Sequence, residues 1–297
     1  MIMSKQKPLL FFILFLLIAP LSMVYGQSTA GDTLRVLAIG NSFSEDALEQ
    51  YLHELADAAG KKILIGNLYI GGAPLSLHWE NIQGNKNAYS YRKIAVDGSK
   101  STTANISILT ALQNEPWDYI SIQQASPLSG QYETYTEPLT GIKHFLDSVD
   151  APGVKYIWHQ TWAYAPNSTH PGFANYGKDQ QQMYKNIMKA SAQAKKRFHF
   201  DVLVPSGTAI QNARTTFLGD NLTRDGYHLN LQIGRFIAAC TWFESLFREE
   251  APTERYRPEK VSAEAAEIAK QAAHAAVRHP FKTTKIKVDK QEPVIEQ

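Results

Sequence analysis

The chain has 297 residues, of which 44% are hydrophobic and 20% charged, enough length and apolar content to bury a full α/β core. Its formal net charge of +2, with no basic stripe along the sequence, gives no electrostatic basis for a nucleic-acid or acidic-polymer partner. The single cysteine, Cys240, rules out a disulfide within the chain.

The N-terminus reads as a targeting segment. Lys5 and Lys7 precede the apolar run from Leu9 to Ala19, and Val24-Tyr25-Gly26 offers a cleavage site before Gln27. Residues 1–26 are therefore expected to be a signal peptide cut near Gly26, leaving a periplasmic or secreted protein, and the run is too short for a membrane span. Leu34 to Ile39 is a nearly continuous apolar stretch, the pattern of a strand buried on both faces, and Gly40 lets the backbone bend where it ends. Ala47, Leu48, Tyr51, Leu52, Leu55 and Ala58 then form a helical stripe, predicting a helix over Asp46–Ala59. Ser42 falls on the turn between the two.

A second strand is expected over Lys62–Tyr69, followed by the pair Gly71-Gly72 and a polar excursion from Leu75 to Ser101. Within that excursion Tyr89–Val96 alternates like a strand and stops at Asp97-Gly98, the mark of a small hairpin. A helix over Ile106–Gln113 precedes a third strand, Trp117–Gln123, which ends in Gln123-Gln124. A helix over Leu139–Ser148, a fourth strand over Val154–His159, a helix over Gln180–Arg197 and a fifth strand over Asp201–Val204 continue the alternation. Such βα repetition predicts a parallel sheet with right-handed crossovers, in one domain spanning 33–280. Apolar Phe236–Phe247, which holds Cys240, and Ala-rich Ser262–Val277 are the late helices, and residues 281–297 read as a polar, loosely ordered tail.

Two segments carry chemistry. Ser42 is a hydroxyl at the carboxyl edge of a sheet, and Asp225-Gly-Tyr-His228 places a carboxylate and an imidazole three residues apart, within reach of each other. Taken singly, Ser in a turn and Asp-x-x-His are ordinary helix caps. Together they supply a nucleophile, a base and a group to orient the base, the parts of a serine hydrolase. Trp158, Trp162 and Tyr164 leave the fourth strand on the Ser42 edge, with Trp79 as the opposite wall; flat rings with polar rims suit stacking on sugars. His159 and His170 stand at no metal-ligand spacing, so neither metal nor cofactor is expected.

The spaced blocks Gly40-Asn-Ser42, Gly71-Gly72, Gln123-Gln124 and Asp225-x-x-His228 resemble those of the SGNH (GDSL-type) hydrolases. Ile39-Gly-Asn-Ser-Phe-Ser44 and Ile122-Gln-Gln-Ala-Ser126 are similar to the SGNH-like proteins of Bacteroidetes (DUF4886-like). The resemblance implies a three-layer α/β/α sandwich of flavodoxin-like type, with Ser42 as nucleophile, His228 as base and Asp225 as its partner. It also implies an oxyanion hole from the N–H groups of Ser42 and Gly72, with Gly71 in reserve, and a third-block side chain, Gln124 or in reserve Gln123. Asn41 stands where the family usually has Asp. The expected function is an exported esterase removing acetyl or similar groups from carbohydrate. The alternatives are a lipolytic esterase or thioesterase on longer chains and an inactive glycan-binding relative. The expected partner is a small-molecule or glycan ester.

Overall fold

The computed structural model describes residues 33–149 and 152–287; the expected signal segment lies outside them. In chain order the elements are β1 (Leu34–Gly40), α1 (Ser42–Leu48), α2 (Leu52–Ala58), β2 (Ile63–Tyr69), α3 (Leu75–Gln83), β3 (Tyr89–Ile94), β4 (Lys100–Ile106), α4 (Ile108–Leu112), β5 (Tyr119–Ile122), α5 (Thr136–Val149), β6 (Lys155–His159), α6 (Gln180–Phe198), β7 (Val202–Val204), α7 (Ser206–Ala213), α8 (Ile233–Phe247) and α9 (Ala263–Arg278). Among the described residues no helix is long and apolar enough to cross a membrane.

The strands form one sheet in the order β4-β3-β2-β1-β5-β6-β7. Strands β2, β1, β5, β6 and β7 are parallel, and the hairpin β3-β4 adds an antiparallel edge. In β1 the alternation of strand side chains sends Val36 and Ala38 into one apolar layer and Leu37 and Ile39 into the other. That explains why its sequence is continuously hydrophobic: both faces are covered by helices. The chain leaves β1 toward β2 on one side and returns to β5 on the other, so the carboxyl end of β1 is the point where strand order reverses. Crevices at such points are where α/β sheets bind ligands.

Three expectations need correction. The helix over Asp46–Ala59 is two helices, broken at Tyr51, whose φ of 75° takes the backbone left-handed while its hydroxyl donates to the Leu231 carbonyl. The polar excursion after Gly72 contains α3, whose buried His78 and Asn81 both reach the Tyr89 hydroxyl. Burial lowers the His78 pKa to about 4. The tail is held down as far as it is described: Pro280 O accepts from Gln160 and Thr208, Thr284 N–H donates to Asn212, Ile286 N–H donates to Thr215, and the Ile286 side chain is buried.

Candidate active site

The site is built on the β1–α1 turn. A side chain on Gly40 would place its Cβ 2.8 Å from Ser44 Cβ, so only glycine lets the chain fold back this tightly into the helix. Asn41 caps α1 by accepting from Phe43 N–H at 2.9 Å, and Ser42 is its first residue. Ser44, the other hydroxyl of the turn, is buried and 2.9 Å from Asn67 Oδ1, whereas Ser42 is half-buried and faces outward to the His228 loop.

Asp225 and His228 lie on the loop between α7 and α8, closed by a bridge between Thr223 and Leu229. Gly226, with φ 88° and the Ser168 Cα only 2.8 Å from where a Cβ would sit, allows the tight turn that brings the two side chains together. Asp225 Oδ1 accepts from the N–H groups of Tyr227 (3.1 Å) and His228 (2.7 Å), and Oδ2 accepts from His228 Nδ1 at 2.6 Å. With Nδ1 carrying the proton, His228 Nε2 is an acceptor, and Ser42 Oγ lies 2.9 Å from it across 186 residues of sequence. Partial burial pushes the Asp225 carboxyl up. The hydrogen bonds from the His228 imidazole and the two backbone N–H groups outweigh it and hold the pKa below the ordinary value.

The neighbouring loops are tied to this turn by Asn41. Its Nδ2 donates to Ala73 O at 3.0 Å, which holds the Gly71-Gly72 turn beside Ser42, and its Oδ1 also accepts from Gln123 Nε2 at 2.8 Å. Behind Gln123 the chain of bonds runs on through Gln123 Oε1 to His159 Nδ1 (2.7 Å) and from His159 Nε2 to Ser206 Oγ (3.1 Å). Burial lowers the His159 pKa to about 3, so the ring is neutral and its orientation is set by these partners. Asn41 is thus more than a substitute for Asp: an aspartate has no N–H to offer Ala73 O. Ser42 N–H and Gly72 N–H donate to no acceptor among the described residues.

The glutamines are placed differently from expectation. Gln124, 1% exposed, accepts from Leu75 N–H and Ala125 N–H and donates to Thr134, so its amide joins three loops; Gln123, 2% exposed, is committed to Asn41 and His159. A buried amide must find such partners: Gln124 Nε2 donates to Thr134 O and Oγ1, and Gln123 Nε2 donates to Asn41 Oδ1.

The aromatic wall is also corrected. Trp158, Trp162 and Tyr164 are at most 1% exposed. Trp158 packs on Tyr135 and Phe200 beneath the sheet, and Trp79 packs in the same layer against Gly141 of α5. Trp162 stacks on Phe43 with ring centroids 4.2 Å apart, and its Nε1 donates to Tyr227 O at 2.7 Å. Tyr164 bonds Ser126 Oγ at 2.7 Å. The loop after β6 folds under the site because the Trp162 and Tyr164 rings bury large apolar areas while the indole Nε1 and the phenol hydroxyl reach partners; Trp158 Nε1 is buried with no hydrogen-bond partner among the described residues. Trp162 therefore braces the residue after Ser42 and the residue before His228. The Trp162→Ala variant is expected to lose about 3–5 kcal/mol of stability, measured by denaturant unfolding, and to lose turnover equally on a bulky glycan ester and a small activated acetate. A selective loss on the glycan ester would return Trp162 to the substrate wall.

Two rings missed as site residues remain partly exposed beside His228. Tyr227 lies 4.2 Å from the His228 ring and His170 lies 4.7 Å from Tyr227. Desolvation and the neighbouring His228 lower the His170 pKa, and its Nδ1 accepts from Gly172 N–H, leaving Nε2 as a donor. The signal lay in Tyr227 being the neighbour of His228.

Residues 35–276 match the family described as "Domain of unknown function (DUF4886)". The chain is similar to a DUF4886 family protein of known structure from Bacteroides uniformis ATCC 8492, at 49% identity and TM-score 0.84, over 86% of this chain and 98% of that one. It is similar in fold to a candidate SGNH hydrolase from Slackia heliotrinireducens, at 21% identity and TM-score 0.51, over 72% of this chain and 100% of that one. No curated protein matches the chain.

Proposed function

The chain belongs to the DUF4886 family, its fold is that of the SGNH hydrolases, and we propose that it is an exported serine esterase releasing short acyl groups, acetyl first, from carbohydrate alcohols. The observation that carries the reading is the line Asp225 Oδ2, His228 Nδ1, His228 Nε2, Ser42 Oγ, with contacts of 2.6 and 2.9 Å at its two ends.

In this mechanism Ser42 Oγ attacks the ester carbonyl carbon as His228 Nε2 takes its proton. Negative charge develops on the carbonyl oxygen, and Ser42 N–H and Gly72 N–H receive it. The carbon–oxygen bond to the alcohol breaks, His228 returns the proton to the leaving oxygen, and the acyl group stays on Ser42. Water then attacks the acyl-enzyme with His228 again as base, releasing the acid and restoring the serine. Asp225 stays ionised throughout, fixing the tautomer and stabilising the imidazolium.

The carbohydrate part of the reading rests on the partly exposed Tyr227 and His170, polar-tipped rings beside the base, and on the expected signal segment. Acid release from esters of graded chain length and from acetylated glycans tests it. Acetyl and other short esters on glycans are expected to give the highest kcat/KM; a preference for chains of about eight carbons or more, each buried CH₂ adding about 0.8 kcal/mol, would establish the lipolytic alternative instead.

A further inference from the structure

Ser42 and His228 come from distant parts of the chain, and their 2.9 Å contact needs something to set the reach of one toward the other. One turn of α1 below Ser42 stands Asp46, completely buried. Its Oδ2 accepts from Leu229 N–H at 2.8 Å, the residue after His228. Arg224, the residue before Asp225, donates through Nη1 to both carboxylate oxygens at 3.0 and 3.2 Å and to Leu229 O. Arg235, at the start of α8, pairs with Oδ1 at 2.6 Å. The carboxylate thus grips both ends of the segment Arg224–Leu229 that holds Asp225 and His228. Serine and aspartate four residues apart share one face of the helix, so the nucleophile and the clamp move as one body.

We propose that Asp46, through Arg224 and Leu229, is the positioning residue that sets the distance between His228 and Ser42. The proposal rests on the serine-esterase reading of the same site. Its consequence is particular, because the Asp225–His228 bond lies inside the turn and needs no help from Asp46. Loosening the clamp displaces the turn as a unit. The His228–Asp225 pair survives, and only its alignment with Ser42 is lost.

The test uses Asp46→Asn, which keeps an oxygen for Leu229 N–H but removes the charge that holds the two arginines. Arg224→Gln, at a side chain one-third exposed, is the variant less prone to misfold. Both are assayed well below their melting temperatures for kcat, KM and the rate at which a small fluorophosphonate labels Ser42, with the downfield Nδ1–H resonance of His228 followed by NMR. The expected result is a kcat and a labelling rate lowered about ten- to a hundredfold, the scale of a misplacement near 1 Å, with KM little changed and the resonance retained. Wild-type kcat in folded Asp46→Asn, or in folded Arg224→Gln where Asp46→Asn does not fold, overturns the proposal. Loss of the resonance together with activity also overturns it, since the role is then general folding. Failure of the underlying reading looks different: Ser42→Ala would keep wild-type turnover.

Discussion

Replacing Ser42 by Ala is expected to lower kcat for ester hydrolysis by about four to six orders of magnitude while leaving the melting temperature nearly unchanged. Ser42 Oγ has His228 Nε2 as its partner, and the half-buried side chain fills no part of either apolar layer. Removing it costs the fold little and removes the atom that would carry the acyl group. His228→Ala takes away the proposed base for that hydroxyl, so the double variant Ser42→Ala/His228→Ala should be scarcely worse than either single one. Steady-state kinetics on one small acetate ester, with unfolding curves for each variant, checks both statements. Wild-type turnover in Ser42→Ala would end the nucleophile assignment.

Asp225→Asn is expected to reduce kcat by about 10⁴ without unfolding the loop. The amide oxygen can still accept from Tyr227 N–H and His228 N–H, so the turn keeps its backbone bonds. The amide nitrogen then faces His228 Nδ1 and donates to it, which moves the ring proton to Nε2, opposite Ser42 Oγ. A protonated Nε2 has no lone pair for the serine hydroxyl. The pH dependence follows from the same geometry. Asp225 is held below its ordinary pKa by the hydrogen bonds from the His228 imidazole and from its own turn, so its carboxylate stays charged until the solution is acidified below the usual carboxylate range. Wild-type activity should therefore show no loss from protonation of Asp225 until the pH falls below that range. Asp225→Asn should be slow at every pH assayed, and full activity in this variant would leave Asp225 as a cap only.

The sheet was legible in the sequence because its strands are buried on both faces, and a run such as Leu34–Ile39 has few other ways to be satisfied. The α/β/α architecture followed, and so did the edge hairpin, marked by Asp97-Gly98 and the alternation before it. The convergence of Ser42, Asp225 and His228 was expected from residue types whose chemistry depends on meeting. Other parts were hidden for identifiable reasons. The break at Tyr51 is set by its contacts with Leu231, Phe236 and Tyr256, all distant in sequence. The aromatic segment after β6 looked like a binding wall because an indole that braces two loops and one that stacks on a sugar are written with the same letter. Burial alone separates them. Gln123 and Gln124 are alike in sequence and differ in their partners, one tied to Asn41 and the other to Leu75 and Thr134. Asp46 gave no signal of its own, being one acidic residue in a helix, with partners, Arg224, Leu229 and Arg235, far along the chain.

The most direct measurement is mass spectrometry of the protein after treatment with an organophosphorus ester, with peptide mapping of the adduct. A single covalent addition on Ser42, slowed strongly in His228→Ala and absent in Ser42→Ala, is the result this account predicts. No addition, or an addition on a serine other than Ser42, would contradict it.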